Sequence, residues 1–140
     1  MGSIPRVNTP LVIDKTLSVE GAVADAMAAG ALKTTKQIIE DWTCLTLDCG
    51  IKIAYFRGRY GNTDITNAEG SLYWSSFSKS LPTNFFSQYP CVQCQCEVEG
   101  GYALSLTLNP SSNNSQLSGW FYTNVSKTVN PYLHIFCIGV

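Results

Sequence analysis

After Trp42, apolar residues recur at every second position in a series of short runs, and this period of two most constrains the fold. Side chains along a strand point alternately to opposite faces, so such a pattern marks strands with one buried face. In "CLTLDCGIKIAYFRGRY" the alternation runs through Leu45 and Leu47, then Ile51, Ile53 and Tyr55. "SLYWSSFSKS" is aromatic and serine-rich, and "YALSLTLNP" sets Tyr102, Leu104, Leu106 and Leu108 against Ala103, Ser105 and Thr107. "GWFYTNV" and "YLHIFCIGV" supply the last two strands. Breakers at Gly61-Asn62, Leu81-Pro82, Gly100-Gly101, Asn109-Pro110 and Asn130-Pro131 separate these runs. Short strands and turns at such intervals predict a mainly β chain, an antiparallel β-sandwich. No βαβ alternation is present, which argues against a nucleotide-binding α/β fold.

Upstream the texture differs. Residues 1–16, with Pro5 and Pro10, read as an extended linker. In residues 17–42, Val19, Val23, Met27 and Ala31 form a stripe at helical spacing that resumes at Ile38 and Trp42. The stripe predicts a short N-terminal helical segment, and residues 43–140 form the predicted head domain. Gly21 and Gly30 each weaken such a helix by about 1 kcal/mol relative to Ala. A thin stripe of small side chains is marginal alone in water and needs cover, from the following domain or from copies of itself.

The six cysteines include three within "CVQCQC", a spacing that invites a metal or redox reading. The alternation answers it. Val92, Cys94, Cys96 and Val98 share one strand face and Gln93, Gln95, Glu97 and Glu99 the other, so Cys91 and Cys94 point apart. No second C-x-x-C exists and His134 is the sole histidine, so no metal and no cofactor is expected. Free thiols are expected at Cys44, Cys49, Cys91, Cys94, Cys96 and Cys137, mostly as small buried apolar groups. The strand after the cysteines is expected to return as a hairpin. If its core face matches that of Leu104, Leu106 and Leu108, the connection has an odd length, with a left-handed glycine making a bulge.

Little else points to chemistry. His134 shares the parity of Tyr132 and Phe136, and the only acids grouped on one face are Glu97 and Glu99. No phosphate loop, serine elbow or metal-ligand motif occurs, so no enzyme is expected. Net charge is −1 without a basic run, which excludes electrostatic binding to nucleic acid. No stretch approaches the ~20 apolar residues of a membrane span, and "MGSIPRVNTPLVIDK" lacks the apolar core of a signal peptide. A cytosolic start is expected. Charged residues make up 14% of the chain, against roughly 25% in soluble domains, so much surface is expected to face other protein.

The order of these features resembles phage tail fibres. "SVEGAVADAMAAGAL" is similar to linkers preceding distal domains of tail and baseplate fibres in phages of Gram-positive gut bacteria, and "CGIKIAYFRG" resembles the first long strand of C-terminal tail-fibre domains. "SLPTNFFSQYPCVQCQCE" is similar to their "F-P-x-x-F…x-P-x-V" element through Leu81-Pro82, Phe85 and Pro90-x-Val92. "SGWFYTNV…PYLHIFCIGV" looks like their closing strand pair, with His134 and Phe136 departing from the usual Trp-Ile-Ala-Ile-Gly ending. The resemblance covers residues 17–140 and rests on structural motifs. It implies a homotrimeric, lectin-like β-sandwich tip, attached to an upstream fibre or baseplate protein, that touches carbohydrate on the host cell surface. Such a chain is made in the host cytoplasm and carried in the virion tail. Val19, Val23, Met27, Ala31, Ile38 and Trp42 are then the expected trimer interface.

The ligand is expected at strand ends remote from the helix, in "RGRYGNTDITNAE". There Arg57, Arg59, Tyr60, Asn62 and Asp64 combine an aromatic platform with forked donors and short acceptors that suit saccharide hydroxyls. Two alternatives stand beside this reading: a structural fibre module without ligand, and a polysaccharide hydrolase. The hydrolase needs paired carboxylates in a groove, which the sequence does not assign.

Overall fold

A computed structural model describes residues 34–100, 102–109 and 112–140, together with the backbone of two short strands further upstream. The chain divides into two compact units, Met1–Thr34 and Thr35–Val140. The first contains β1 (Ile13–Asp14) and β2 (Val23–Ala24), paired in parallel. In the second, β3 (Thr34–Ile39), β4 (Trp42–Leu47), β5 (Lys52–Arg59), β13 (Tyr132–Gly139) and β9 (Cys91–Glu97) form a five-stranded sheet in the order β3-β4-β5-β13-β9. β10 (Leu104–Leu108), β11 (Gln116–Thr123), β8 (Leu72–Ser80) and β7 (Asn67–Glu69) form a four-stranded sheet in the order β10-β11-β8-β7. β6 (Thr63–Ile65) and β12 (Lys127–Val129) make a separate antiparallel ladder.

The inward faces meet in one core, as the alternation requires. Trp42, Cys44, Ala54, Phe56, Leu133, Ile135 and Cys137 project from the five-stranded sheet, and Phe77, Leu117 and Phe121 from the other. Phe77 and Phe121 meet edge-on with centroids 5.3 Å apart, and Trp42 lies 5.6 Å from Phe56. Burial alternates strictly through Tyr132–Phe136, which sets Leu133 and Ile135 inside and Tyr132, His134 and Phe136 outside.

Two expectations change. The helical reading fails at Val23 and from Thr34 onward. Thr34–Ile39 is a strand, Val23 lies in β2, and Trp42 opens β4 fully buried in the core of its own chain. The compact unit that holds both large sheets spans Thr35–Val140. The β-branched Thr34, Thr35, Ile38 and Ile39 favour an extended chain, and the Ile38–Trp42 spacing that mimics a helical turn spans a two-residue turn at Glu40 and Asp41. Glu40 adopts a φ of 56°, with its carboxylate accepting the Thr83 hydroxyl at 2.6 Å. Ile38 is exposed on β3, while Val19, Met27 and Ala31 lie outside the described residues.

The hairpin expected after the cysteines is absent: β9 pairs with β13 and β10 with β11, in different sheets. Both strands do face the core, but across the sandwich, with the Cys96 thiol 3.5 Å from the Leu104 carbonyl. Alternation fixes which face is buried; two strands satisfy it equally side by side or face to face. The positive-φ glycine exists, Gly100 at 112°, and it turns an arch between sheets.

Candidate functional site

The outward face of the five-stranded sheet gathers polar residues at one end. β5 projects Arg57 and Arg59 outward, β13 projects Tyr132 and His134, and β9 projects Gln95 and Glu97. The antiparallel register sets Arg59, Tyr132 and Glu97 in one row across the three strands, and Arg57, His134 and Gln95 in the next. At that end Arg57, Arg59, Tyr132, Glu97, Val98 and Glu99 line a recess of about 410 Å³. A second recess of about 210 Å³ shares its Arg59–Glu99 wall and continues past Tyr102, Lys127 and Asn130.

The side chains here hold one another. Arg59 Nη2 lies 3.0 Å from Glu99 Oε1, and Nη1 donates to the Asn130 carbonyl at 2.9 Å. The guanidinium groups of Arg57 and Arg59 lie 5.7 and 6.0 Å from the Tyr132 ring centroid. His134 packs 5.3 Å from Tyr132, its Nε2 approaches Glu97 Oε1 at 3.4 Å, and its Nδ1 shares a hydrogen bond with the Tyr55 hydroxyl at 3.3 Å. Lys127 Nζ stands 4.8 Å from the Tyr102 ring centroid. The result is an aromatic surface bordered by fixed guanidinium donors and exposed carboxylate acceptors. Such a set reads paired hydroxyls on a solvated ligand.

Of the residues singled out in the sequence, Arg57 and Arg59 come together in the recess. Tyr60 does not. It lies on the opposite parity from both arginines, so its ring turns inward against Phe77 and Phe121 at 5.2 and 5.3 Å. Its hydroxyl both donates to the Ser78 carbonyl and accepts the Ser78 N–H at 3.1 Å. That parity was already visible in the sequence and excludes Tyr60 as an open stacking platform beside Arg59. Asp64 sits on β6 and accepts the Thr128 hydroxyl at 2.5 Å, while Asn62 is exposed in the preceding loop. Sequence reasoning missed Tyr132, Glu99, Asn130 and Lys127, which come from other loops and strands. Only the pairing of β13 with both β5 and β9 brings Tyr132 to the centre.

The cysteines lie apart from this site. All six are free; Cys44 and Cys137 are buried, Cys94 and Cys96 are half-buried facing the core, and Cys49 and Cys91 are exposed. Burial pushes the Cys137 thiol up to about 12 and the Cys94 thiol up to about 11. Among the described residues, no group of three or more His, Cys, Asp or Glu side chains is placed to hold a metal ion.

No known protein family and no curated protein matches the sequence. Two solved structures share the fold. One is a C-terminal portion of the P. aeruginosa R1 pyocin fibre, 15% identical, with a TM-score of 0.58 over 86% of this chain and 33% of that one. The chain thus spans a third of that structure's length. The other is an N-truncated R1-type pyocin tail fibre, 16% identical, with a TM-score of 0.58 over 86% of this chain and 99% of that one. The fold of this chain is that of the C-terminal region of an R1 pyocin tail fibre.

Proposed function

We propose that this chain is the distal domain of a phage or phage-tail-like fibre that binds a cell-surface glycan, as a homotrimer joined to an upstream fibre protein. The observation that carries this reading is the position of the Arg59–Tyr132–Glu99 recess. β3 is joined to its sheet neighbour β4 by the turn at Glu40 and Asp41, so the chain enters the sandwich at Thr34, beside the Leu47 end of β4. Thr46 is in register with Lys52, at the start of β5, and Arg59 lies at the other end of that strand. At about 3.3 Å per residue the recess is roughly 23 Å from that end, where a free tip would present it.

Its chemistry suits a saccharide. Arg59 is held by both Glu99 and Asn130, so its donors are oriented before a ligand arrives. Contacts of this kind are weak singly, and three copies on one tip gain through effective concentration. The test is an array of bacterial surface polysaccharides probed with the oligomer and with Arg59→Ala and Tyr132→Ala. Retention by the native chain and at least tenfold loss in both variants is expected. Retention unchanged in both variants removes the recess from the site. No retention on any surface glycan or cell favours the purely structural module.

A further inference from the structure

We propose that the second recess, across the Arg59–Glu99 wall, is an acidic subsite: it takes a unit of the same glycan that carries a carboxylate or phosphate, read by Lys127. The inference rests on the glycan reading above and adds the chemical class of the ligand. Charge separates the two recesses. In the first, the guanidinium groups of Arg57 and Arg59 are balanced by the carboxylates of Glu97 and Glu99. In the second, Glu99 balances Arg59, and Lys127 adds a cation with no further carboxylate in the lining. Lys127 forms no ion pair among the described residues. Asp64, on the strand paired with β12, faces the other way. Parity sets it beside Thr128, whose hydroxyl it accepts, while Lys127 is in register with Ile65.

The ammonium group is positioned without being neutralised. It stands 4.8 Å from the Tyr102 ring centroid. A ring quadrupole attracts a cation yet leaves its formal charge to act on a further partner. Tyr102 is itself held in place. Its N–H donates to the Gly100 carbonyl at 3.0 Å, and its ring packs so close to Gly100 that a Cβ there would meet Cε1 at 2.7 Å. Asn130 adds a neutral donor to the same lining. Its Oδ1 accepts the Gly61 N–H at 3.3 Å, which leaves the carboxamide NH2 to donate. A fixed ammonium beside an amide donor suits an oxyanion, because hydrogen bonds to a charged oxygen are about twice as strong as neutral ones.

Size makes this a subsite rather than a separate pocket. Its volume of about 210 Å³ falls below the roughly 300–1,000 Å³ of pockets that enclose a whole small molecule. It shares Arg59, Val98 and Glu99 with the first recess, so a ligand seated there crosses the wall into it. One chain of linked sugars fills both, with its acidic unit on the Lys127 side.

The test uses the full chain and acidic bacterial polysaccharides on the array, each in three forms: native, with carboxylates reduced to primary alcohols, and with phosphates hydrolysed off. One of the two treatments should lower affinity at least fivefold, and which one does so identifies the group read. Lys127 is exposed, so its replacement leaves the fold intact. Lys127→Gln should bind native and treated forms alike, and Lys127→Arg should keep the difference. Arg59→Ala should weaken binding of every form and keep the difference as well. A treatment effect that persists in Lys127→Gln, or acidic polysaccharides retained no better than their treated forms, overturns this inference and leaves the glycan reading standing. Retention of neutral glycans alone does the same. No retention of any glycan overturns both.

Discussion

Arg59 and Glu99, forty residues apart in the chain, close the wall between the two recesses with a 3.0 Å ion pair. Both side chains are more than half exposed, 51% and 88%. Pairs so open to solvent contribute about 0–1 kcal/mol, since water screens the attraction and two long side chains lose rotamer freedom. Stability is therefore a poor reason for this arrangement. Arg59→Ala is expected to shift unfolding by less than about 1 kcal/mol in urea titrations while lowering glycan retention at least tenfold. A loss of several kcal/mol would make the pair structural and weaken the binding reading.

Trp42 supplies a contrasting case. It is fully buried, and its indole Nε1–H donates to the Ser80 carbonyl at 3.0 Å, tying β4 to the end of β8 in the other sheet. Trp42→Ala should cost about 3–5 kcal/mol by loss of transfer energy and cavity formation. Trp42→Phe should cost less, chiefly through the orphaned carbonyl. Calorimetry at several protein concentrations separates this from an interface role. A shift in melting that grows with dilution would mean Trp42 sits between chains, and a shift independent of concentration is expected.

Alkaline pH should destabilise the head. Burial raises the Cys137 thiol to about 12 in the folded chain, against 9.0 for an ordinary thiol. The folded state then holds its proton where the unfolded state has released it, so this contribution is complete below pH 9 and is lost as pH rises toward 12. The slope is about 1.4 kcal/mol per pH unit for one such thiol. Urea midpoints measured from pH 7 to 11 should be flat to about pH 8.5 and then fall. Cys137→Ala should make the alkaline limb shallower, with the Cys94 thiol, pushed up to about 11, supplying part of what remains, and a limb unchanged in that variant would assign the loss elsewhere.

The sandwich was legible from the alternation because side-chain parity is a local property of a strand. The strands read around Cys44, Ile53, Phe77, Cys94, Leu106, Phe121 and Ile135 all form. Partner choice was not legible, because the core face of Val92, Cys94 and Cys96 is satisfied equally by a neighbour in its own sheet or opposite. The upstream misreading has the same root: Ile38 and Trp42 stand four apart, but the Glu40–Asp41 turn between them is set by contacts to Thr83 and Lys79, far along the chain. At the recess, Arg57 and Arg59 were legible as an outward pair. Tyr132 and Glu99 were not, since their arrival depends on sheet order.

Gly119 links the core to the recess through a steric constraint. It lies on the buried face of β11 between Leu117 and Phe121, in register with Leu108 on one side and Phe77 on the other. A Cβ built there would stand 2.1 Å from the Thr107 carbonyl oxygen and 3.0 Å from Leu108 Cα, both backbone atoms that no rotamer change can move aside. Gly119→Ala must therefore push β10 off β11, at a cost of about 3 kcal/mol, the upper part of the range for overpacking. Within its sheet β10 is an edge strand paired with β11 alone, so it is the element that yields. Hydrogen exchange should show faster exchange at Ser105 and Thr107, whose amides face β11, while the β5–β13 ladder stays protected. Because the arch through Gly100 ties β10 to the Glu97–Glu99 wall, glycan retention should fall as well, by less than in Arg59→Ala. A variant with unchanged melting and unchanged protection in β10 would show that the close approach at Gly119 is not a feature of the protein in solution.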